Sequence, residues 1–254
     1  MKRYYKKTII IAPHADDEIF TFPFIYSKDN IFDSIDLLLL ENDKKRYSAA
    51  IQSAKINSFN IKCPKEYNLK GLYFHEKIEL LVDNFSKLFN KYDLILAPLM
   101  EGGHQDHDSS CASLFLSKEI KTANAEIVLY STYRNFDFFP YIYTCGISNK
   151  NFSKEIFSVK FSNQILILCL KTILFCYGSQ YKTWILLLPA ILYSYFTSNI
   201  NKFVDGNNLQ FQDIIKKIPN KPLYEIYRGL DKERWMNSLK HISNKIILKN
   251  NKKQ

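Results

Sequence analysis

Along the first half of the chain, short runs of β-branched and leucine residues alternate with stretches whose apolar positions recur at helical spacing. The runs are Thr8–Ala12, Ile35–Leu40, Leu94–Ala97 and Glu126–Tyr130, and the helical stretches are Arg46–Phe59, Glu76–Phe89 and Asp108–Ile120. Strands that alternate with helices predict an α/β fold, with a mostly parallel sheet covered on both faces. In such sheets ligands sit beyond the carboxyl ends of the strands.

After about Pro140 the pattern changes. An aromatic stretch, Phe136–Tyr143, precedes a predicted strand, Ile156–Phe161, and two strongly apolar segments, Ile165–Phe175 and Trp184–Phe196. Each is shorter than the roughly 20 apolar residues of a membrane-spanning helix. The chain therefore reads as one domain, with residues 1–135 as the sheet core and 136–254 as a C-terminal elaboration that shapes the substrate site or faces a membrane. The Lys/Asn-rich end, Asn244–Gln254, is expected to fray.

With 46% hydrophobic residues, 15% aromatics and only 7 glycines in 254 residues, the chain is neither disordered nor collagen-like. The apolar run after the basic N-terminus is too short for a signal peptide. Five cysteines without a Cys-x-x-Cys pair fit neither a disulfide framework nor a cysteine-zinc site. A cytoplasmic protein is expected. The net charge of +10 is spread over scattered lysines and comes with no nucleic-acid motif, so no nucleic-acid partner is expected. It leaves open a solvated surface or peripheral attachment at the inner face of a membrane through the two apolar segments.

The candidate chemistry lies in two clusters. Pro13-His14-Ala15-Asp16-Asp17-Glu18 follows the first strand, and Glu101-Gly102-Gly103-His104-Gln105-Asp106-His107 follows the third. Taken singly, the first could be a helix cap with acidic residues on the dipole, and the second an ordinary surface loop. Three of the five histidines fall in these two stretches, however, both at strand ends of one sheet. An imidazole and a carboxylate three residues apart suit Zn²⁺ better than Mg²⁺ or Ca²⁺. His14 and Asp17 supply two ligands and His107 a third, the usual number at a catalytic zinc.

These two clusters together resemble the paired motifs of the PIG-L/LmbE-like family of zinc-dependent carbohydrate de-N-acetylases, in order and spacing over roughly the first half of the chain. Lys171-x5-Tyr177-x-Ser179-Gln180 is a weaker echo of a late family motif, and Arg46 stands where such proteins carry an arginine. Ala15 and Gln105 replace prolines usual in the two motifs, and Ala49 replaces a glutamate. The resemblance implies a Rossmann-like fold and zinc held by His14, Asp17 and His107. It further implies Asp16 as general base and His104 as the group stabilising the oxyanion. Asp106 would orient a histidine, and Glu18 would pair or cap. Arg46, Tyr177 and Gln180 are candidate substrate contacts, as are Tyr133 and Arg134 by their place just after the fourth strand. The substrate implied is an N-acetylated amino sugar or glycoconjugate, in surface polysaccharide, lipopolysaccharide or glycolipid assembly. Two other readings compete: a metal-dependent nucleotide-sugar glycosyltransferase, which lacks a phosphate-cradling glycine loop, and a non-catalytic membrane-associated binding protein.

Overall fold

A computed structural model describes residues 2–41, 43–62, 69, 71, 73–120, 125–132, 155–197, 200–216, 218, 222 and 231–251. In chain order the strands are β1 (Arg3–Tyr5), β2 (Thr8–Ala12), β3 (Asn30–Phe32), β4 (Ile35–Leu39), β5 (Asn60–Lys62), β6 (Leu94–Pro98), β7 (Glu126–Tyr130), β8 (Ile156–Lys160) and β9 (Ile200–Asp205). The helices are α1 (Phe22–Ile25), α2 (Lys44–Ile56), α3 (Ile78–Phe85), α4 (Gln105–Ile120), α5 (Asn163–Cys176), α6 (Tyr181–Thr197), α7 (Phe211–Lys216) and α8 (Lys232–Asn251). Single 3-10 turns occupy Asp17–Thr21, Phe74–Lys77 and Gly178–Gln180.

Seven strands form one sheet in the order β5-β4-β2-β6-β7-β9-β8. The five from β5 to β7 are parallel, and β9 runs antiparallel to both of its neighbours. The alternation of side chains along β2 explains the layering. Ile9 and Ile11 belong to one buried cluster with residues of α3, α4, α7 and α8. Ile10 and Ala12 belong to another with α1, α2, α5 and α6. With both faces covered, β2 is five buried residues in a row, with Thr8 the one polar residue beside four apolar ones.

From β2 the chain steps outward to β4 and β5, then returns to β6 on the other side of β2. This reversal makes a crevice between the carboxyl ends of β2 and β6, where ligands bind in open α/β sheets.

Several boundaries differ from the sequence expectation. Helix α2 starts at Lys44 because the Asp43 carboxylate accepts the N–H groups of Lys45 and Arg46. Helix α4 starts at Gln105, so His107 lies in a first turn whose acids, Asp106 and Asp108, complement the helix dipole. The stretch expected as one helix from Glu76 is a 3-10 turn followed by α3 alone. Helix α8 continues to Asn251, into the Lys/Asn-rich stretch, while the residues it buries at successive turns, Trp235, Leu239 and Ser243, all precede Asn244. Strand β9 was not anticipated. Cys111, Cys169 and Cys176 are buried free thiols.

Candidate metal centre

The loop after β2 turns sharply at Asp16, which has φ 108°. A non-glycine residue adopts that region only where its surroundings enforce it. Here Glu18 Oε2 accepts the Asp16 N–H at 3.1 Å, and the Asp16 carbonyl accepts the Ile19 N–H. The other Glu18 oxygen, Oε1, accepts the hydroxyls of Ser53 on α2 and Tyr177 at the end of α5, each at 2.5 Å. A fully buried carboxylate thus ties the Asp16 turn to two helices.

The loop after β6 is fixed in a similar way. Gly102 has φ 74°, and the Glu101 and Gly102 N–H groups both donate to the Asp108 carboxylate. Glu101 in turn accepts the Ser131 hydroxyl and the Thr132 N–H beyond β7. The neighbouring loops of two adjacent parallel strands are therefore bolted together.

Between these loops three atoms converge. His14 Nδ1 lies 3.2 Å from His107 Nε2, His107 Nε2 lies 3.3 Å from Asp17 Oδ2, and His14 Nδ1 lies 3.5 Å from Asp17 Oδ2. Zinc with bonds of 2.0–2.1 Å has tetrahedral edges of about 3.3 Å, so the triangle matches one face of such a site. The outer nitrogens are engaged elsewhere: His14 Nε2 with Asp106 Oδ2 at 3.0 Å, and His107 Nδ1 with Thr132 Oγ1 at 2.7 Å. Protons on those outer nitrogens leave the inner lone pairs facing the triangle. Asp106 is itself steadied by the Phe74 N–H on its other oxygen. The second oxygen of Asp17 is buried without a hydrogen-bond partner, a donor atom still open to a cation.

The electrostatics show how acid-rich the site is. Burial opposes charge on His14, but Asp106 and Asp17 outweigh it and push its pKa up to about 10, so a cation bound at the triangle would have to displace the proton on Nδ1. Burial would also raise Asp17, yet His107 and His14 hold its carboxyl well below the usual range. Asp16 is raised well above its ordinary value by burial and by Asp17 and Glu18, with His14 and Arg46 acting against the shift. A divalent cation at the triangle would strengthen that opposing pull.

His104 stands at the rim, its ring 4.7 Å from that of His14 and 5.2 Å from that of His107. Its ligand atom lies within 4.8 Å of those of the other two histidines, so it offers a further donor. Arg46 pairs with Glu41 at 3.0 Å on the same rim. Gly71 is close by: a Cβ there would come within 2.5 Å of Glu41 Oε1 and 3.9 Å of His14 Nε2. Gln180 donates to the Ala15 carbonyl, while Tyr177 is fully buried, with its hydroxyl given to Glu18 and no surface left to offer a ligand. Tyr133 and Arg134 lie outside the described residues. Thr132 and Gly71 carry no local signature beyond, for Thr132, its position after β7, and Glu101 opens the second cluster without its bracing role being visible there. Neither His75 nor His241 joins this cluster: both line a separate cavity of about 1130 Å³ between α3 and α8.

No family model matches the chain, and no curated protein does either. Solved structures do. The A40926 pseudoaglycone deacetylase Dbv21 superposes with TM-score 0.57 at 8% identity, covering 79% of this chain and 96% of that one. The zinc-inhibited form of teicoplanin deacetylase Orf2 gives 0.52 at 8% identity over 80% and 100%. A deacetylase–teicoplanin complex gives 0.51 at 7% identity over 79% and 98%. At such low identity the likeness establishes a common fold: this chain has the α/β architecture of these deacetylases.

Proposed function

We propose that the protein is a zinc-dependent hydrolase that removes the N-acetyl group of an amino sugar carried on a glycoconjugate. The observation that carries the reading is the triangle of His14, Asp17 and His107 atoms at the sheet's crevice, with Asp16 beside it. The deacetylase fold supports it, as does the neighbour known in a complex with teicoplanin.

His14, Asp17 and His107 would hold the cation. Bound there, zinc supplies a Lewis acid and brings the pKa of water to about 7. Asp16, held in its turn by Glu18, accepts the proton of the attacking water and returns it to the departing amine. His104, one turn before His107 at the rim, donates to the oxyanion that develops on the acetyl carbonyl. Asp106 and Thr132 keep the two ligand histidines in the tautomers the site needs. Arg46 and Gln180, together with Tyr133 and Arg134 by their position in the sequence just after β7, are the side chains assigned to meet the sugar in this reading. Surface polysaccharide, lipopolysaccharide or glycolipid assembly is the setting this chemistry suits.

Acetate release from N-acetylglucosamine and from N-acetylated glycoconjugates tests the reading. Zinc should be titrated up from below one equivalent, because a neighbour of the same fold exists in a zinc-inhibited form. Asp16→Asn should retain zinc while kcat falls by about 10²–10⁴-fold. Wild-type turnover in that variant would move the base elsewhere. Sugar transfer that needs Mn²⁺ or Mg²⁺, with no acetate released, would replace the reading by a glycosyltransferase.

A further inference from the structure

Helices α5 and α6 bury one stripe each in the same core cluster, through Ile165, Cys169, Ile173 and Cys176 on the first and Trp184 and Ile191 on the second. Their opposite stripes face outward. On α5 this stripe is Ile167, Lys171, Leu174 and Phe175, at i, i+4, i+7 and i+8. On α6 it is Tyr181, Ile185, Pro189 and Phe196. Leu174, Phe175 and Phe196 are 72%, 73% and 76% exposed, and Ile185 is 65% exposed. Scattered apolar residues on a surface are ordinary, but two consecutive helices whose exposed positions, among the described residues, carry one charge, Lys171, are not.

Charge selects the occupant. Between Glu155 and Asp205 the sequence contains four lysines and no acidic residue. An isologous contact with a second copy would set this positive surface against itself without a counter-charge. An anionic bilayer supplies both an apolar interior for the stripe and negative headgroups for Lys171 and its neighbours. Among the described residues no helix is long and apolar enough to cross a membrane, so the surface would lie in the interface.

Position adds a functional consequence. The Gly178–Gln180 turn joins the two helices, and its flanking residues reach the candidate site: Tyr177 through Glu18, Gln180 through the Ala15 carbonyl. Tyr181 directly follows that turn, and Leu174 and Phe175 lie within the last turn of α5 before it. We propose that the outward faces of α5 and α6 dock on an anionic lipid surface and so present the crevice to substrate anchored in the membrane. The docking stands on exposure and charge alone; the membrane-anchored substrate rests on the deacetylase reading.

Vesicle co-sedimentation of the full chain separates the two. With zinc-loaded protein at low ionic strength, binding to phosphatidylglycerol-containing vesicles is expected, with much weaker binding to phosphatidylcholine alone and release by high salt. The triple variant Leu174→Ser, Phe175→Ser, Phe196→Ser should lower partitioning by at least about tenfold with an unchanged melting temperature, since these side chains are exposed already. Lys171→Glu should weaken it as well. Acetate release from a water-soluble N-acetylated sugar should be unaffected in the triple variant. Wild-type protein that stays in the supernatant with anionic vesicles overturns the docking surface. Equal binding by the triple variant does so too, because attraction would then come from the general basic surface. A dimer in sedimentation velocity that the triple variant dissociates would assign the stripe to self-association instead. Loss of acetate release from every substrate with vesicle binding intact would remove the enzymatic reading and leave the docking standing.

Discussion

Asp17 Oδ2 accepts the His14 backbone N–H at 2.7 Å while facing His107 Nε2, so a single carboxylate oxygen fixes the loop and joins the two histidines. Its other oxygen is buried and unpartnered. Two donor sets are possible around it, both containing His14 and His107, with either Asp17 or His104 as the third member. The 3.2–3.5 Å spacing of the Asp17 set favours it, because the His104 set spreads to as much as 4.8 Å. Replacing His107 with Ala should therefore strip bound zinc, whereas His104→Ala should keep it and lose turnover. Elemental analysis of the purified variants decides the matter. Equal zinc loss in both would make His104 a ligand.

Among the elements, α2 shows how a local cap serves a distant site. The Asp43 side chain satisfies two of the N–H groups left open at the helix start, and the same first turn carries Arg46 toward Glu41. Asp43→Ala should cost about 1 kcal/mol in urea unfolding. A change of no more than about 0.3 kcal/mol would mean that solvent caps α2 equally well. Helix α4 is organised from its N-terminus too. Its first turn gives Asp106 to His14, His107 to the triangle and Asp108 to the preceding loop, so three consecutive acid or imidazole groups serve three different neighbours.

At the scale of the whole molecule, β1 ties the N-terminus to the centre of the sheet. Arg3 donates to Glu126 Oε1 and Tyr5 to Glu126 Oε2 at the start of β7, both at 2.9 Å. Burial, chiefly, raises the Tyr5 phenol from its ordinary value to about 12. The folded chain thus keeps its proton where the unfolded chain loses it, so this contribution is complete below about pH 10 and is lost as pH rises toward 12. Tyr5→Phe should be less stable than wild type near pH 8, with the gap narrowing near pH 11, as measured by urea unfolding at both values. A gap that stays constant would show that Tyr5 does not titrate differently in the two states.

What the sequence determined by itself was the part that local pattern encodes. Strands β2, β4, β6 and β7 are legible to within a residue, because strands covered on both faces are mostly apolar, with Thr8, Asp36 and Glu126 the polar exceptions at or next to their starts. Their alternation with helices implied the parallel sheet, and the sheet implied that the His14 and His107 loops lie at carboxyl ends. Tertiary structure decided the rest. Strand β9, Ile200–Asp205, alternates too weakly to announce itself, and it pairs only because β7 and β8 both present an edge to it. The hydrogen bond from Tyr177 to Glu18 spans 159 residues, and the contact from His107 to Thr132 depends on β6 and β7 being neighbours. Neither leaves a periodicity in the chain, since each joins single polar atoms brought together by strand order. Clusters of chemistry were visible in one dimension, but the partners that aim them exist only once the sheet has formed.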